Sequence, residues 1–210
     1  MTEADLARVA DPGMRMLASL GWLHRMPPQT VFVNEGDAAD SAFVILSGRV
    51  KVFASDPEGR EIVLNICGAG DCIGDMALDG GPRSASVVTL DRVTCAVVPR
   101  DALHKAVATN PEFAMRLITT LIRRNRMATS KIKGLALQGV RERVLELLED
   151  LAVERDGTWL VGERLSQQEI AHRVGASRDM VRRVFQELQD DGAIRMDRRQ
   201  VTLLHPPAPR

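Results

Sequence analysis

Residues 70–87 read GDCIGDMALDGGPRSASV, and this stretch carries the densest chemical signal in the chain. It combines a glycine turn, a short helix that opens with Asp75, and a Pro-Arg-Ser-Ala run that leads into a strand. The N-terminus of a helix presents backbone N–H groups to an anion, and Arg83 and Ser84 can add hydrogen bonds to a phosphate. An acid cannot bind phosphate, but it accepts a hydrogen bond from a sugar hydroxyl. The combination favours a nucleotide site, with an ordinary surface loop as the alternative.

The residues on both sides of this stretch alternate between short apolar runs and glycine turns. Between Gln29 and Val98 the runs are VFV, FVIL, VKVF, IVLNI, SVVTL and TCAVV. Short runs separated by regular turn signals are typical of an antiparallel sandwich or barrel. We therefore predict an antiparallel β-domain over residues 1–110.

The pattern becomes helical after Pro111 and predicts one long helix over residues 111–137. Its seam residues recur at alternating spacings of about four and three, as in a coiled-coil heptad; they are Ile118, Ile122, Asn125, Thr129, Ile132 and Ala136. Basic residues without an intervening acid lie beside the seam from Arg116 to Arg141, and such charge is best kept out of a core. We expect the helix to pair with its copy in a second chain; the alternative is a helix packed only on its own sheet.

The segment LSQQEIAHRVGASRDMVRRVFQEL (Leu165–Leu188) predicts two helices joined by a tight turn, within a compact unit at residues 138–210. Ser166 and Glu169 form a capping box, Gly175 permits the turn, and Ser177 caps the second helix. The inner face of the first helix consists of Ile170, Ala171 and Val174, and the apolar positions of the second helix are Met180, Val181, Val184, Phe185 and Leu188. Two short strands around a charged turn are expected at Ala193–Leu204.

The exposed side of the second helix carries Arg178, Asp179, Arg182 and Arg183 in its first two turns. Arginine can donate two hydrogen bonds to guanine, and aspartate can accept one from cytosine. Together with the helix-turn-helix pattern, these residues favour DNA recognition over a merely solvated charged face. Arg195, Arg198 and Arg199 in the last hairpin would form a wing that contacts phosphates.

The composition restricts the remaining classes of protein. The 28 Lys and Arg residues balance the 28 Asp and Glu residues, which argues against coating nucleic acid by bulk charge but not against a local basic face. No run reaches the ~18 apolar residues of a membrane helix, and the N-terminus lacks the pattern of a signal peptide. We therefore predict a cytoplasmic protein without a membrane segment.

The reactive side chains do not group into a catalytic or metal-binding set. Cys67, Cys72 and Cys95 are an odd number without metal-type spacing, so buried free thiols are expected. No nucleophile–base pair and no metal-ligand cluster is evident, so an enzyme is the least favoured class.

Residues 70–87 resemble the phosphate-binding cassette of the cyclic-nucleotide-binding domain, and DSAFVILSGRVKVF (Asp40–Phe53) is similar to that family's glycine-turned hairpin. With the helix-turn-helix that follows, the chain resembles the CRP/FNR superfamily of bacterial transcription regulators from about Leu20 to Leu204. The resemblance implies an α+β fold: an N-terminal antiparallel β-roll (the cyclic-nucleotide-binding jelly roll), a long dimerisation helix and a C-terminal winged helix-turn-helix.

The resemblance also implies a ligand site. Arg83 would pair with the cyclic phosphate, and Asp75 stands where cyclic AMP binders usually carry glutamate, which is longer by one methylene. Thr129-Ser130 resembles a pair that meets adenine from both subunits, with Ala128-Thr129 as the alternative register. The implied ligand-binding residues are Ile73, Gly74, Asp75, Met76, Ala77, Arg83, Ser84, Thr129 and Ser130.

The second helix of the helix-turn-helix carries a further resemblance, since Ser177-Arg178-Asp179 and Arg183 look like the family's Ser-Arg-Glu and following arginine. This implies a half-site related to TGTGA. Arg182 takes a position that is often glycine, so it would shift the preference or contact a phosphate. The expected DNA-binding residues are Ser166, Gln167, Ser177, Arg178, Asp179, Arg182, Arg183, Arg198 and Arg199.

These inferences combine into a homodimer, joined through the 111–137 helix, that binds palindromic double-stranded DNA and acts on RNA polymerase. A cyclic nucleotide would control its DNA affinity, with cyclic AMP favoured. The alternatives are the same fold responding to cyclic di-GMP or to no small ligand, and a cyclic-nucleotide-binding module that does not bind DNA. A redox-cluster or haem sensor is less favoured, because the N-terminal cysteine group of the cluster-binding relatives is absent.

Overall fold

The computed structural model of the chain describes residues 1–163, 165–197 and 200–207. The chain divides into two units: Met1–Ala54 with Val63–Met127, and Ser55–Ile62 with Ala128–Arg210. This division falls inside the long helix. The three-part division at residues 110 and 137 stays a prediction.

The first unit is built around antiparallel strands. They are β1 (Trp22–Met26), β2 (Val31–Val33), β3 (Ser41–Ser47), β4 (Val50–Ser55), β5 (Glu61–Cys67), β6 (Cys72–Ile73), β7 (Ser86–Thr89) and β8 (Val93–Pro99). One sheet has the order β1-β8-β3-β6 and the other β2-β7-β4-β5. The six apolar runs of the sequence thus become strands, as predicted, while β1 and the two-residue β6 were not expected.

Strand β3 shows how the sheets acquire a core on each face, because successive side chains of a strand point to opposite sides. Phe43 and Ile45 pack with residues of both sheets. Ala42, Val44 and Leu46 pack instead against helices on the other face. The turn into β4 requires Gly48, whose φ is +85° and where a Cβ would meet the carbonyl oxygen of Arg92.

The helices of this unit cover the second face of that sheet. They are α1 (Glu3–Leu6), α2 (Pro12–Ser19), α3 (Arg100–Thr109) and the long α4 (Pro111–Leu137), with a 3₁₀ helix at Asp75–Leu78. Asn110 caps α4 by accepting a hydrogen bond from the Phe113 N–H at 3.0 Å, and proline suits the first helical position. Phe113 and Leu117 bury the start of α4, whereas its later apolar residues are exposed. The predicted span of this helix is confirmed.

The second unit contains the helix-turn-helix. Its elements are α5 (Val140–Asp150), β9 (Ala152–Arg155), β10 (Thr158–Val161), α6 (Gln167–Val174), α7 (Arg178–Asp190), β11 (Ile194–Asp197) and β12 (Gln200–Leu203). The strands form one antiparallel sheet of order β11-β12-β10-β9. The pair β11–β12 was predicted, and the hairpin β9–β10 was not.

This architecture confirms the expected α+β fold: an antiparallel β-roll, a long helix and a winged helix-turn-helix. Cys67, Cys72 and Cys95 are buried and free, as predicted. Within the part of the chain that the structure describes, none of the helices has the length and apolar character needed to cross a bilayer.

Candidate functional site

The backbone of residues 73–78 forms a tight turn between β6 and the 3₁₀ helix. Gly74 adopts φ +80° and ψ 29°, a left-handed conformation that favours glycine. A Cβ at this position would also lie 2.6 Å from Nη1 of Arg83 and 3.0 Å from the carbonyl oxygen of Ser41. Gly74 is therefore required both for the turn and for the close approach of Arg83.

Arg83 is a cation held just beneath the surface of this turn, with only 6% of its surface exposed. Its Nη2 donates to the carbonyl oxygen of Ser41 at 2.7 Å, and its Nη1 donates to that of Gly74 at 3.3 Å. The guanidinium lies 5.7 Å from the centre of the Phe43 ring, within cation–π range. These contacts join the turn to β3 and fix the direction of the guanidinium.

The electrostatic surroundings of Arg83 favour an anionic ligand. Burial lowers the pKa of the guanidinium, and the nearby carboxylates of Asp40, Asp37 and Asp75 oppose that shift. Asp40 lies 3.8 Å from Nη2 of Arg83, and its own side chain is 88% exposed. Since a buried cation is costly without a close counter-charge, an anion that reaches Arg83 would improve its solvation.

Asp75, the acid of the turn, is paired with a residue of the long helix. Nη1 of Arg124 donates to Oδ1 of Asp75 at 2.8 Å, and the two side chains are 25% and 15% exposed. Nη2 of Arg124 also donates to the carbonyl oxygen of Cys72. One guanidinium thus ties β6 and the 3₁₀ helix to α4.

Arg124 belongs to the candidate site by these contacts, and it is not among the residues predicted from the sequence. The available signal was its place in the basic run of the long helix. Nothing in local spacing links it to Asp75, because 49 residues separate the two.

The other residues predicted for the ligand site divide by exposure. Ile73 and Ala77 are buried beneath the turn, and Met76 is half-buried. Ser84 is exposed beside Arg83 in sequence, and Thr129 and Ser130 are exposed residues of α4. The structure therefore brings residues 73–77 together with Arg83 in one unit; the ligand roles of all these residues stay predictions.

The helix-turn-helix is held by capping hydrogen bonds and by a tight turn at Gly175. The hydroxyl of Ser166 accepts from the Glu169 N–H at 3.2 Å, and the Glu169 carboxylate accepts from the Ser166 N–H at 2.7 Å, which confirms the predicted capping box. Gly175 ends α6 with φ +64°. Nε of Arg143 on α5 donates to the carbonyl oxygen of Val174 at 2.8 Å, so α5 fixes the end of α6.

Helix α7 separates an apolar stripe from a charged face. Its buried stripe packs against α5 and α6; it consists of Val181, Val184, Phe185 and Leu188. The first two turns present exposed charged residues, namely Arg178, Asp179, Arg182 and Arg183. Ser177 caps the helix by accepting from the Met180 N–H at 3.2 Å. This is the side-chain distribution expected of a recognition helix.

Met180 is one of the apolar positions of α7 but does not belong to its buried stripe. Its side chain is 40% exposed. With 3.6 residues per turn, the direction between Val181, Val184, Phe185 and Leu188 defines the inner face, and residue 180 falls to one side of it.

The wing is described only in part. Strands β11 and β12 pair up to Asp197 and Gln200, and Arg195 is exposed on β11. The predicted phosphate contacts Arg198 and Arg199 lie outside the described residues.

The seam of α4 is a row of exposed side chains in the single chain. Ile118, Ile122 and Ile132 are 46%, 49% and 66% exposed. Asn125 and Thr129 between them are exposed as well. Exposed isoleucines at heptad spacing on a long helix, here with two polar positions between them, are typical of a helix that pairs with another.

The comparison with known proteins matches both halves of this arrangement. Residues 23–110 match the cyclic nucleotide-binding domain family, and residues 142–208 match the Crp-like helix-turn-helix domain family. Arg83 and Asp75 fall in the first region and α7 in the second.

Several relatives cover most of the chain. It is 35% identical over 179 residues to the CRP-like cAMP-activated global transcriptional regulator of Mycobacterium tuberculosis, covering 83% of this chain and 80% of that protein. It is 30% identical over 189 residues to the cAMP-activated global transcriptional regulator CRP of Salmonella typhimurium, covering 88% and 90%. These relatives are regulators and not enzymes, in agreement with the prediction.

A solved structure gives the same result at the level of the fold. The c-di-GMP responsive global regulator CLP of Xanthomonas campestris superposes with a TM-score of 0.79 at 28% identity, covering 93% of this chain and 100% of that one. With the two domain matches and the relatives above, the chain belongs to the CRP/FNR family of transcriptional regulators, DNA-binding proteins with a cyclic nucleotide-binding domain.

Proposed function

We propose that the protein is a homodimer whose affinity for palindromic DNA is raised by cyclic AMP, bound at the turn of residues 73–84 beside α4. The observation that carries the proposal is the Asp75–Arg124 pair next to the buried Arg83. Groups suited to a sugar hydroxyl and to a phosphate lie in one unit, and one of them is bonded to the helix that carries the seam.

The residues at this turn fit a cyclic nucleotide. The cyclic phosphate is a single anion, and Arg83 supplies a fixed guanidinium with a low-dielectric surrounding in which charge-assisted hydrogen bonds are strong. Ser84 adds a hydroxyl donor. The Asp75 carboxylate accepts from the ribose 2′-hydroxyl, while Arg124 holds that carboxylate in place. Thr129 and Ser130 are assigned to the base.

Arg124 also gives a route by which ligand binding reaches α4. A nucleotide that bonds to Asp75 adds a partner to a carboxylate that is already paired with Arg124 of α4. The helix arrangement favoured by the ligand would then align the two α7 helices with DNA. By linkage, DNA must tighten nucleotide binding by the same factor.

Cyclic di-GMP at the same turn is the second candidate. The Xanthomonas campestris regulator, described as c-di-GMP responsive, covers nearly the whole chain, and the shorter Asp75 departs from the glutamate usual in cyclic AMP binders. Cyclic AMP is favoured because the relatives at 35% and 30% identity are named as cAMP-activated and because Arg83 matches a single phosphate.

The dimer is proposed from the exposed seam of α4. A two-fold axis along this helix would place two α7 helices about one DNA turn apart, ~34 Å, and would demand a palindromic site. Within each half-site, Arg178, Asp179 and Arg183 would read bases. Ser166, Gln167, Ser177, Arg182, Arg198 and Arg199 are assigned to the phosphates.

The proposal also covers the compartment and the protein partner. A regulator of this kind acts in the cytoplasm and contacts RNA polymerase. A nucleotide-binding module without DNA binding is less well supported, because α7 exposes a charged face in the helix-turn-helix geometry.

Two experiments on the purified full chain test the proposal. Calorimetric titration should give one cyclic AMP per chain, and cyclic di-GMP should fail to displace it. Displacement by cyclic di-GMP would establish the second candidate, and binding of neither nucleotide would remove ligand control. Selection from random duplexes should yield a palindrome, and recovery of unrelated sequences would contradict specific DNA binding.

A further inference from the structure

Met180 has an exposure that the packing of the second unit does not explain. The other apolar side chains of α7 are buried, whereas Met180 is 40% exposed in the first turn of the helix. Its backbone N–H is bonded to the hydroxyl of the cap, Ser177, so the position of the residue is well fixed while its side chain faces outward.

The side chain of Met180 lies next to the charged face of α7. Residues three apart on a helix are neighbours, so Met180 adjoins Arg183, and Asp179 precedes it directly. Both neighbours are exposed. The first turns of a recognition helix are the part that meets base edges in the major groove.

A thioether at this place has a limited choice of partners on DNA. It offers no strong hydrogen bond to a phosphate or to a polar base edge. The one apolar group that bases present in the major groove is the 5-methyl of thymine. Methionine is flexible and polarizable, so it can adapt to that methyl between two charged neighbours.

We propose that Met180 is a specificity-determining residue that packs against the 5-methyl group of one thymine in each half-site. The inference rests on the proposed function, in which α7 enters the major groove. Besides the residues that form hydrogen bonds with bases, α7 then carries an apolar side chain that distinguishes thymine from cytosine and also from uracil.

Replacing thymine by deoxyuridine tests this contact, because it removes the methyl group and leaves every hydrogen-bonding group in place. A duplex selected by the full chain is made with each thymine of the half-sites replaced in turn, symmetrically in both halves. Affinity is measured at one salt concentration for the parent, for Met180→Ala, and for Met196→Ala. Met196 is a matched control, since it is 39% exposed in the same unit but lies on β11.

At one thymine position the parent should lose about fourfold in affinity per half-site, the factor that corresponds to one buried methylene-sized group. Met180→Ala should bind the thymine and deoxyuridine duplexes equally at that position, while Met196→Ala should keep the parent's ratio. Equal binding by the parent at every position would overturn the inference and leave specific DNA binding intact. A methyl effect that persists in Met180→Ala would also overturn it. Absence of any sequence-specific complex would instead contradict the proposed function itself.

Discussion

Asp75 is the residue at which the chain departs from the glutamate usual in cyclic AMP binders, and it is also the residue that Arg124 holds. The 2.8 Å bond between the two side chains directs the shorter carboxylate, so its reach toward a ligand depends on α4.

Asp75→Asn should weaken cyclic AMP binding at least tenfold, about 1.4 kcal/mol, because the amide loses the charge-assisted hydrogen bond to the ribose. The pair is largely screened from water, so the free energy of unfolding should fall by about 1–2 kcal/mol. Calorimetric titration and denaturant unfolding measure the two effects. Asp101→Asn is the matched control, because Asp101 is an exposed acid on α3, outside the turn of residues 73–84. Unchanged affinity in Asp75→Asn would exclude Asp75 from the site.

The buried thiols give a prediction for alkaline pH. Burial raises the pKa of Cys67 from 9.0 to about 11 and that of Cys72 and Cys95 from 9.0 to about 12. The unfolded chain therefore loses these protons first as the pH rises above about 9, so the unfolding free energy should fall there, by about 1.4 kcal/mol per pH unit for each thiol. Lysine side chains also titrate in this range, and Lys131, whose pKa is lowered by burial, contributes in the opposite direction.

The same burial should protect the thiols from alkylation at pH 8. Iodoacetamide should label the folded chain at least about 100-fold more slowly than the unfolded chain, the factor given by two pKa units. A cysteine that is labelled at the unfolded rate in the folded protein would contradict the assigned burial.

How far single residues can be predicted depends on how local their partners are. Gly74, Asp75 and Arg83 were found because they share one short motif, and Gly74 and Arg83 are only 9 residues apart. Arg124 was not found because its bond to Asp75 spans 49 residues. The exposure of Met180 could not be predicted, because an apolar residue type does not indicate whether its side chain faces a core or solvent.

At the scale of elements, α4 carries the proposed dimer interface. Ile122→Asp should convert the dimer to a monomer, because pairing would bury two unpartnered carboxylates. Analytical ultracentrifugation measures the change. Met127→Asp is the control, because Met127 is equally apolar and 50% exposed but lies on the other side of the helix. A dimer that survives Ile122→Asp would contradict pairing through this seam.

Helices and strands that carry capping residues or long apolar runs could be predicted from the sequence, whereas very short or exposed strands could not. Capping residues mark the starts of α6 and α7, and the runs of β3 and β8 are long and buried, so these elements were identified. The hairpin β9–β10 was missed because β9 (AVER) is short and largely exposed and lacks an apolar alternation. Strand β6 has only two residues and is defined by pairing with β3 rather than by composition.

Across the whole molecule, the 28 basic and 28 acidic residues are equal in number but unevenly distributed along the chain. Basic residues outnumber acids on α4 and in the segment from His172 to Arg183, and acids elsewhere in the chain offset them. The electrostatic affinity for DNA therefore depends on which face meets the duplex. Phosphate contacts also make that affinity steeply dependent on salt. Coupling between nucleotide and DNA is meaningful only when it is measured at one fixed salt concentration.

The most direct test of the central claim is the affinity of the full chain for a TGTGA-type palindrome with and without cyclic AMP at fixed salt. The account predicts at least a tenfold tightening by cyclic AMP, about 1.4 kcal/mol of coupling, and loss of that tightening in Asp75→Asn. Specific binding that is unchanged by cyclic AMP would contradict the assignment of this ligand as the effector.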